Sequence, residues 1–259
     1  MALNLVTNRK LYFFAMHALR EWLRTTVLTM HRHRILFLLI PVALAACGAL
    51  TIHHDVAWSD RLMENRTAIL RSVARRFSAF GDFQTGTLAV VGGLWLVGRW
   101  KRNRRLQNAA AACLLAATFA GATATAIRTL TGRPRPSAGV ADGFYGPSFN
   151  HKYQSFASAH SATSLGTSTA LAVAVPEIGI PVLVLSLGVP WSRFYMHDHY
   201  VTDILAGAGI GIWFGLAFGF AARKRNNRSP AVQTNRNGSL LGINDDRAPA
   251  PSPIGFSPH

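Results

Sequence analysis

Six uncharged apolar stretches divide this chain: residues 35–52, 83–98, 106–127, 161–176, 178–192 and 204–222. A membrane-spanning helix needs about 20 apolar residues, roughly 17 to 25. Three of the stretches meet that length, and three need flanking residues to complete a span. Arg99 and Trp100 can extend the second by snorkelling and interfacial anchoring. Six such stretches leave too little polar surface for a soluble core, so the pattern predicts an all-α polytopic membrane bundle of about six transmembrane helices. Between the first two stretches, Leu62, Ile69, Leu70, Val73, Phe77 and Phe80 fall near helical spacing. They predict one additional amphipathic helix, lying on the outer surface or packed on the bundle.

Composition sharpens this picture. Hydrophobic residues make up 49% of the 259 positions, and only 15% are charged, well below the roughly 25% of a soluble domain. The net charge of +16 would suit nucleic acid, but its distribution argues against that partner. The basic residues cluster at 32–34, 99–105 and 223–228, flanking the apolar stretches. Basic loops mark the cytoplasmic side, which puts the N-terminus inside. The chain then divides into a basic cytoplasmic segment at 1–34, a six-span domain at 35–222 and a disordered cytoplasmic tail at 223–259. Leu44-Ala45-Ala46-Cys47 resembles a lipoprotein processing site, but the apolar run continues past Cys47. A retained helix is expected there.

With that orientation, three polar junctions share the outer face: IRTLTGRPRP (127–136), YQSFASAHSATS (153–164) and WSRFYMHDHYVTD (191–203). Several arginines with few acids make a site for a phosphate dianion, since guanidinium presents paired donors to phosphate oxygens. Ser158-Ala159-His160 opens the fourth span, where a helix N-terminus adds backbone donors. Two histidines from different segments can divide nucleophile and general-acid roles. His199 and Asp203, four apart, share a helical face, so the carboxylate can hydrogen-bond one ring nitrogen and free the other. The His197-Asp198-His199 run invites a metal. Yet the junction carboxylates Asp142, Asp198 and Asp203 show no repeated metal-binding spacing, so no metal and no cofactor is expected. Arg133 fits a structural or a ligand role, and His197 reads as a pocket wall. Phe194, Tyr195 and Tyr200 read as interfacial anchors.

The spacing is similar to a known family. Arg128, six residues, Arg135-Pro136; Ser158-Ala159-His160; and Ser192-Arg193, five residues, His199, three residues, Asp203 resemble the three-part signature of the type 2 phosphatidic acid phosphatase superfamily. That signature reads K-x6-R-P, P-S-G-H and S-R-x5-H-x3-D, and the third part matches at every fixed position. The resemblance implies that His199 attacks phosphorus to form a phosphohistidine, Asp203 orients it, and His160 protonates the leaving oxygen. Arg128, Arg135, Arg193, Ser158 and backbone groups near Ala159 would bind phosphate, without a metal. Arg128 stands where the family has Lys, and Ala157 and Ala159 replace Pro and Gly. Ala159 would cost about 1 kcal/mol if that position needed a positive φ.

The expected function is therefore an integral membrane phosphatase for a phospholipid or isoprenyl (pyro)phosphate. The resemblance places it in a bacterial inner membrane with the site facing the periplasm. A lipid phosphotransferase using the same phosphohistidine, or a non-catalytic scaffold or transporter with a relic site, are the alternatives.

Overall fold

The computed structural model describes the backbone of residues 2–228 and the side chains of residues 16–227, all helix, turn and loop. The N-terminal segment is α1 (Ala2–Arg32), followed by α2 (Arg34–Thr51). A short turn carries α2 into α3 (Asp55–Glu64), so 34–64 runs as one apolar path. Leu38, Leu39 and Leu50 on it are exposed, as lipid-facing residues would be.

The expected amphipathic segment is two helices, α3 and α4 (Ala68–Gly81), with Thr67 capping α4 through Leu70 N–H. The second packs on the bundle: Ala74 and Gly81 are buried, and Phe77 meets Trp191 edge-to-face. Ile69 stays 78% exposed on its other face. Next come α5 (Leu88–Trp100) and α6 (Arg104–Thr131), the latter capped by Asn103, whose side chain accepts from Arg105 and Leu106 N–H. Gly132, at φ 59°, ends α6 in the left-handed region that glycine tolerates.

After a long loop come α7 (Ala159–Ala174), α8 (Pro176–Ser186), α9 (Gly188–Tyr195) and α10 (Val201–Arg228). All six expected stretches are helical over most of their length. Among the described residues, four helical paths are long and apolar enough to cross a membrane by themselves: 34–64, 104–131, 176–195 and 201–227. The second and fourth stretches form α5 and α7, of 13 and 16 residues, so a count of six spans is not established. The expected tail boundary at 223 falls inside α10, and residues 229–259 lie outside the described part.

Helices α6, α7 and α10 form the packed centre. Ala109, Ala112, Ala116, Ala120 and Ala124 of α6 are fully buried. In lipid there is no hydrophobic force between helices, so small residues that permit close backbone approach set the packing. On α10, a Cβ at Gly211 would sit 2.5 Å from Ala162 O, and one at Gly207 2.2 Å from Ser158 O. These contacts seat the N-terminus of α7 against the first turns of α10.

At the opposite end of the bundle, Arg105 Nη2 donates to Glu177 Oε2 (2.9 Å), and Asn108 Nδ2 donates to Asn226 Oδ1 (2.8 Å). The basic clusters 99–105 and 223–228 thus share one end. The C-terminus of α6, the N-termini of α7 and α10, and the C-terminus of α9 share the other.

Candidate active site

Motif residues from all three junctions meet at that second end. Arg128 lies on the last turn of α6, Arg193 on the last turn of α9, and Asp203 on the first turn of α10. Ser158 is the N-cap of α7: its Oγ accepts from Ser161 N–H (3.4 Å) and Ser161 Oγ–H (3.0 Å), and it is fully buried. Its own N–H donates to Asp203 O at 3.0 Å. Ala159 opens α7 and is not among the positive-φ residues, so alanine carries no left-handed strain there. His160 follows, just ahead of the fourth apolar stretch and about a third exposed.

His199 is buried, and its Nδ1 lies 2.8 Å from Ser155 O. A carbonyl can only accept, so Nδ1 carries the proton and Nε2 keeps its lone pair. Asp203 Oδ2 is 3.7 Å from Nδ1, beyond hydrogen-bond range. This differs from the direct His199–Asp203 bond expected from their spacing. The reason is that the Asp203 carboxylate is fully committed elsewhere. Oδ2 accepts from Ser155 Oγ–H (2.5 Å) and Tyr200 N–H (2.8 Å), and Oδ1 accepts from Arg133 Nη1 (2.8 Å). The Tyr200 bond is the carboxylate half of a capping box on α10. Asp203 therefore holds the His199 tautomer through Ser155, whose hydroxyl and carbonyl serve the two residues. Burial holds the His199 pKa below the ordinary imidazole range; Asp203 works against that, and Arg135 and Arg193 add to it.

Arg133 is structural. Its guanidinium has no exposed surface and meets Asp55 (2.9 Å), Asp142 (2.8 Å) and Asp203 (2.8 Å), with Thr202 Oγ1 at 2.6 Å. It lies 4.3 Å over the Tyr200 ring. Burial works against its charge, but the Asp142, Asp203 and Asp55 carboxylates outweigh it and raise its pKa. Asp55 in turn accepts from Thr202 N–H (3.1 Å) and from Thr202 Oγ–H, capping α10 from another helix. Three carboxylates thus converge on a guanidinium instead of an open coordination site. Tyr200 and Tyr195 are both buried, not interfacial, and Tyr195 Oη accepts from Thr67 N–H at 2.8 Å.

The other arginines are arranged differently. Arg135 Nε donates to His151 O (3.1 Å) and Arg193 Nη1 to Ser78 Oγ (2.6 Å). Asp198 bridges them, 3.4 Å from Arg135 Nη1 and 2.9 Å from Arg193 Nη2. Arg128 is within electrostatic reach of Arg193. The Nε atoms of Arg128 and Arg193 are buried with no hydrogen-bond partner. Two buried, unpaired cationic donors within electrostatic reach of each other call for an anion. Asp198, at the centre of the conspicuous His-Asp-His run, is a carboxylate on this arginine cluster. His197 adopts φ 63° and has Arg66 and Asp60 as charged neighbours.

A cavity of about 790 Å³ runs from Ala117 and Gly121 at mid-height of α6 to Arg128 and His160. Its lining is mostly apolar, and Asp82 stands at its polar end.

Residues 109–227, which contain all three motifs, match the PAP2 superfamily. This segment belongs to that superfamily. The PAP2 segment is 29% identical over 101 residues to a lipid A 1-phosphatase of Rhizobium johnstonii, covering 38% of this chain and 41% of that one. A lipid A 1-phosphatase of Rhizobium etli matches at the same identity, over 44% of its length. The alignments thus span about two fifths of these curated relatives. The crystal structure of a transmembrane PAP2-type phosphatidylglycerolphosphate phosphatase from Bacillus subtilis superposes with a TM-score of 0.54, over 75% of this chain and 97% of that one. At 17% identity, that likeness speaks for the fold. Sequence spacing pointed to His160, Arg193, His199 and Asp203 in the PAP2 segment but missed Ser155 and Asp198 within it, and Asp55 and Asp82 ahead of it. Three of these four lie outside the motif pattern, and Asp198 occupies one of its variable positions.

Proposed function

We propose that this chain is an integral membrane phosphatase that hydrolyses the phosphomonoester or pyrophosphate of a lipid-linked substrate through a phosphohistidine on His199, without a metal. The observation that carries the reading is the pair of buried, unpaired guanidinium Nε atoms, Arg128 and Arg193, the first of them at the head of an apolar groove.

The substrate's acyl or isoprenyl chain lies along α6, and its phosphate enters the arginine cluster, displacing Asp198. Arg128, Arg135 and Arg193 then neutralise the equatorial oxygens, with backbone N–H groups at Ala159 and the Ser158 turn. Charge stabilisation of this kind is the main catalytic term in phosphoryl transfer. His199 attacks through Nε2, because Ser155 O holds the proton on Nδ1. His160 donates a proton to the leaving oxygen, and afterwards takes one from the water that cleaves the phosphohistidine. The arginines supply the positive charge that a metal would bring to other phosphatases. The basic clusters gather at the end away from the site, which supports a site on the outer, periplasmic face of an inner membrane.

The substrate panel is phosphatidic acid, phosphatidylglycerol phosphate, an isoprenyl pyrophosphate and a lipid A phosphate. The names of the relatives put the last first. Phosphate release from this panel by detergent-purified protein in EDTA, wild type against His199→Ala, tests the reading. Activity on at least one lipid that disappears in the variant is expected. No release from any of them, or full activity in the variant, contradicts it.

A further inference from the structure

Asp82 links α4 to the turn at 83–87 and caps that turn. Its Oδ1 accepts from Gln84 N–H (2.9 Å), Thr85 N–H (3.0 Å) and Thr85 Oγ–H (3.3 Å). Capping needs one acceptor oxygen and no net charge, so Asn would serve equally. The second oxygen, Oδ2, takes none of these bonds and lies 4.0 Å from His160 Nε2. Both residues stand at the polar end of the lipid groove, beside Arg128. Asp198, another carboxylate near His160, is paired with Arg135 and Arg193 before substrate binds. Among the described residues, Asp82 has no Arg or Lys within ion-pair distance, which leaves its charge to His160.

We propose that Asp82 is the positioning residue of the leaving-group acid: its free oxygen stabilises the His160 imidazolium beside the lipid's leaving oxygen. This rests on the reading of His160 as that acid. As the bond from His199 Nε2 to phosphorus forms, the bond to the lipid oxygen breaks and its electron pair stays on that oxygen. The His160 proton moves there, leaving His160 neutral and able to take a proton from water in the second half-reaction. The environment makes such a partner necessary. Burial, then Arg193 from α9 and His199 from the loop, lower the His160 pKa to about 4, and Asp82 and Asp198 offset only part of that. His160 in turn helps to hold the Asp82 carboxyl below its ordinary range, after the Thr85 and Gln84 amides.

The test uses full-length protein in detergent with Asp82→Asn, which keeps the capping oxygen and removes the charge. It compares the panel lipid cleaved fastest with p-nitrophenyl phosphate, whose phenolate departs with little need of a proton. Asp82→Asn is expected to lower kcat on the lipid about tenfold or more and to leave the aryl substrate within about twofold. Removing a negative charge lowers the His160 pKa, and the acid must be protonated. The alkaline limb of the kcat profile on the lipid therefore moves to lower pH. Equal losses on both substrates, or an unmoved alkaline limb, overturn the proposal. His160→Ala separates the two levels of the argument: if it retains lipid hydrolysis, the assignment of the acid itself is wrong; if it loses hydrolysis while Asp82→Asn does not, only Asp82 is.

Discussion

Arg133 and Arg128 lie five residues apart in one junction, yet physical surroundings give them opposite jobs. Arg133 is closed in by Asp55, Asp142 and Asp203, whereas Arg128 keeps a buried, unpaired Nε. Breaking a buried ion cluster by removing one partner is costly because the remaining charges stay buried. Arg133→Met is therefore expected to lower stability by about 3–5 kcal/mol, read as a drop in the thermal unfolding midpoint of detergent-solubilised protein. A change near zero would contradict the hub. Spacing alone could not separate these arginines, because the carboxylates that claim Arg133 come from three different segments. The same holds for the His199 tautomer. The i, i+4 pairing with Asp203 was legible, but the Ser155 carbonyl between them depends on how the loop before α7 folds back.

At the scale of elements, the six apolar stretches read correctly as helices because each is long, uncharged and bounded by polar residues. The amphipathic segment before the second stretch was legible as helical by its spacing. Its division into α3 and α4 at Asn65–Thr67 was not, nor was the seat of α4 on α9, which follows from Gly188 lying under Phe77 and Val189 under Gly81. The second and fourth stretches leave the span count open, because α5 and α7 have only 13 and 16 residues. Most of α7 is enclosed by neighbouring helices, so lipid thickness does not dictate its length. What sets the site is the approach of α7 to α10 at Gly207. A methyl group there would meet Ser158 O at 2.2 Å, so Gly207→Ala must displace the α7 N-terminus and with it His160. Phosphatase activity should fall about tenfold or more, with helical content by circular dichroism unchanged. Gly92→Ala, at a position with open space, is the control and should retain activity. Full activity in Gly207→Ala would show that this contact does not position the site.

For the molecule as a whole, charge and apolarity are segregated: basic clusters at one end, the arginine site at the other, and an apolar groove leading to the site along α6. That the basic clusters at 99–105 and 223–228 share the end opposite the three motif junctions was legible, because the rule for basic loops draws on residues outside the motifs. The groove was not, since it arises from alanines, glycines and threonines whose small size shows only once α6 and α7 are packed. Ala122 lines it and is exposed, so a larger side chain there fills lipid space without disturbing the core. Ala122→Trp is expected to raise KM for long-chain lipid phosphates several-fold and to leave p-nitrophenyl phosphate hydrolysis unchanged. Parallel losses on both would place the lipid chain elsewhere. The central claim, that phosphorus passes through His199, is met most directly by trapping. Protein incubated with a 32P-labelled lipid phosphate in EDTA and denatured in alkali, where phosphohistidine survives, should carry label on the peptide containing His199. His199→Ala should carry none and release no phosphate. Phosphate release by His199→Ala at the wild-type rate, or label on another residue, would contradict the account.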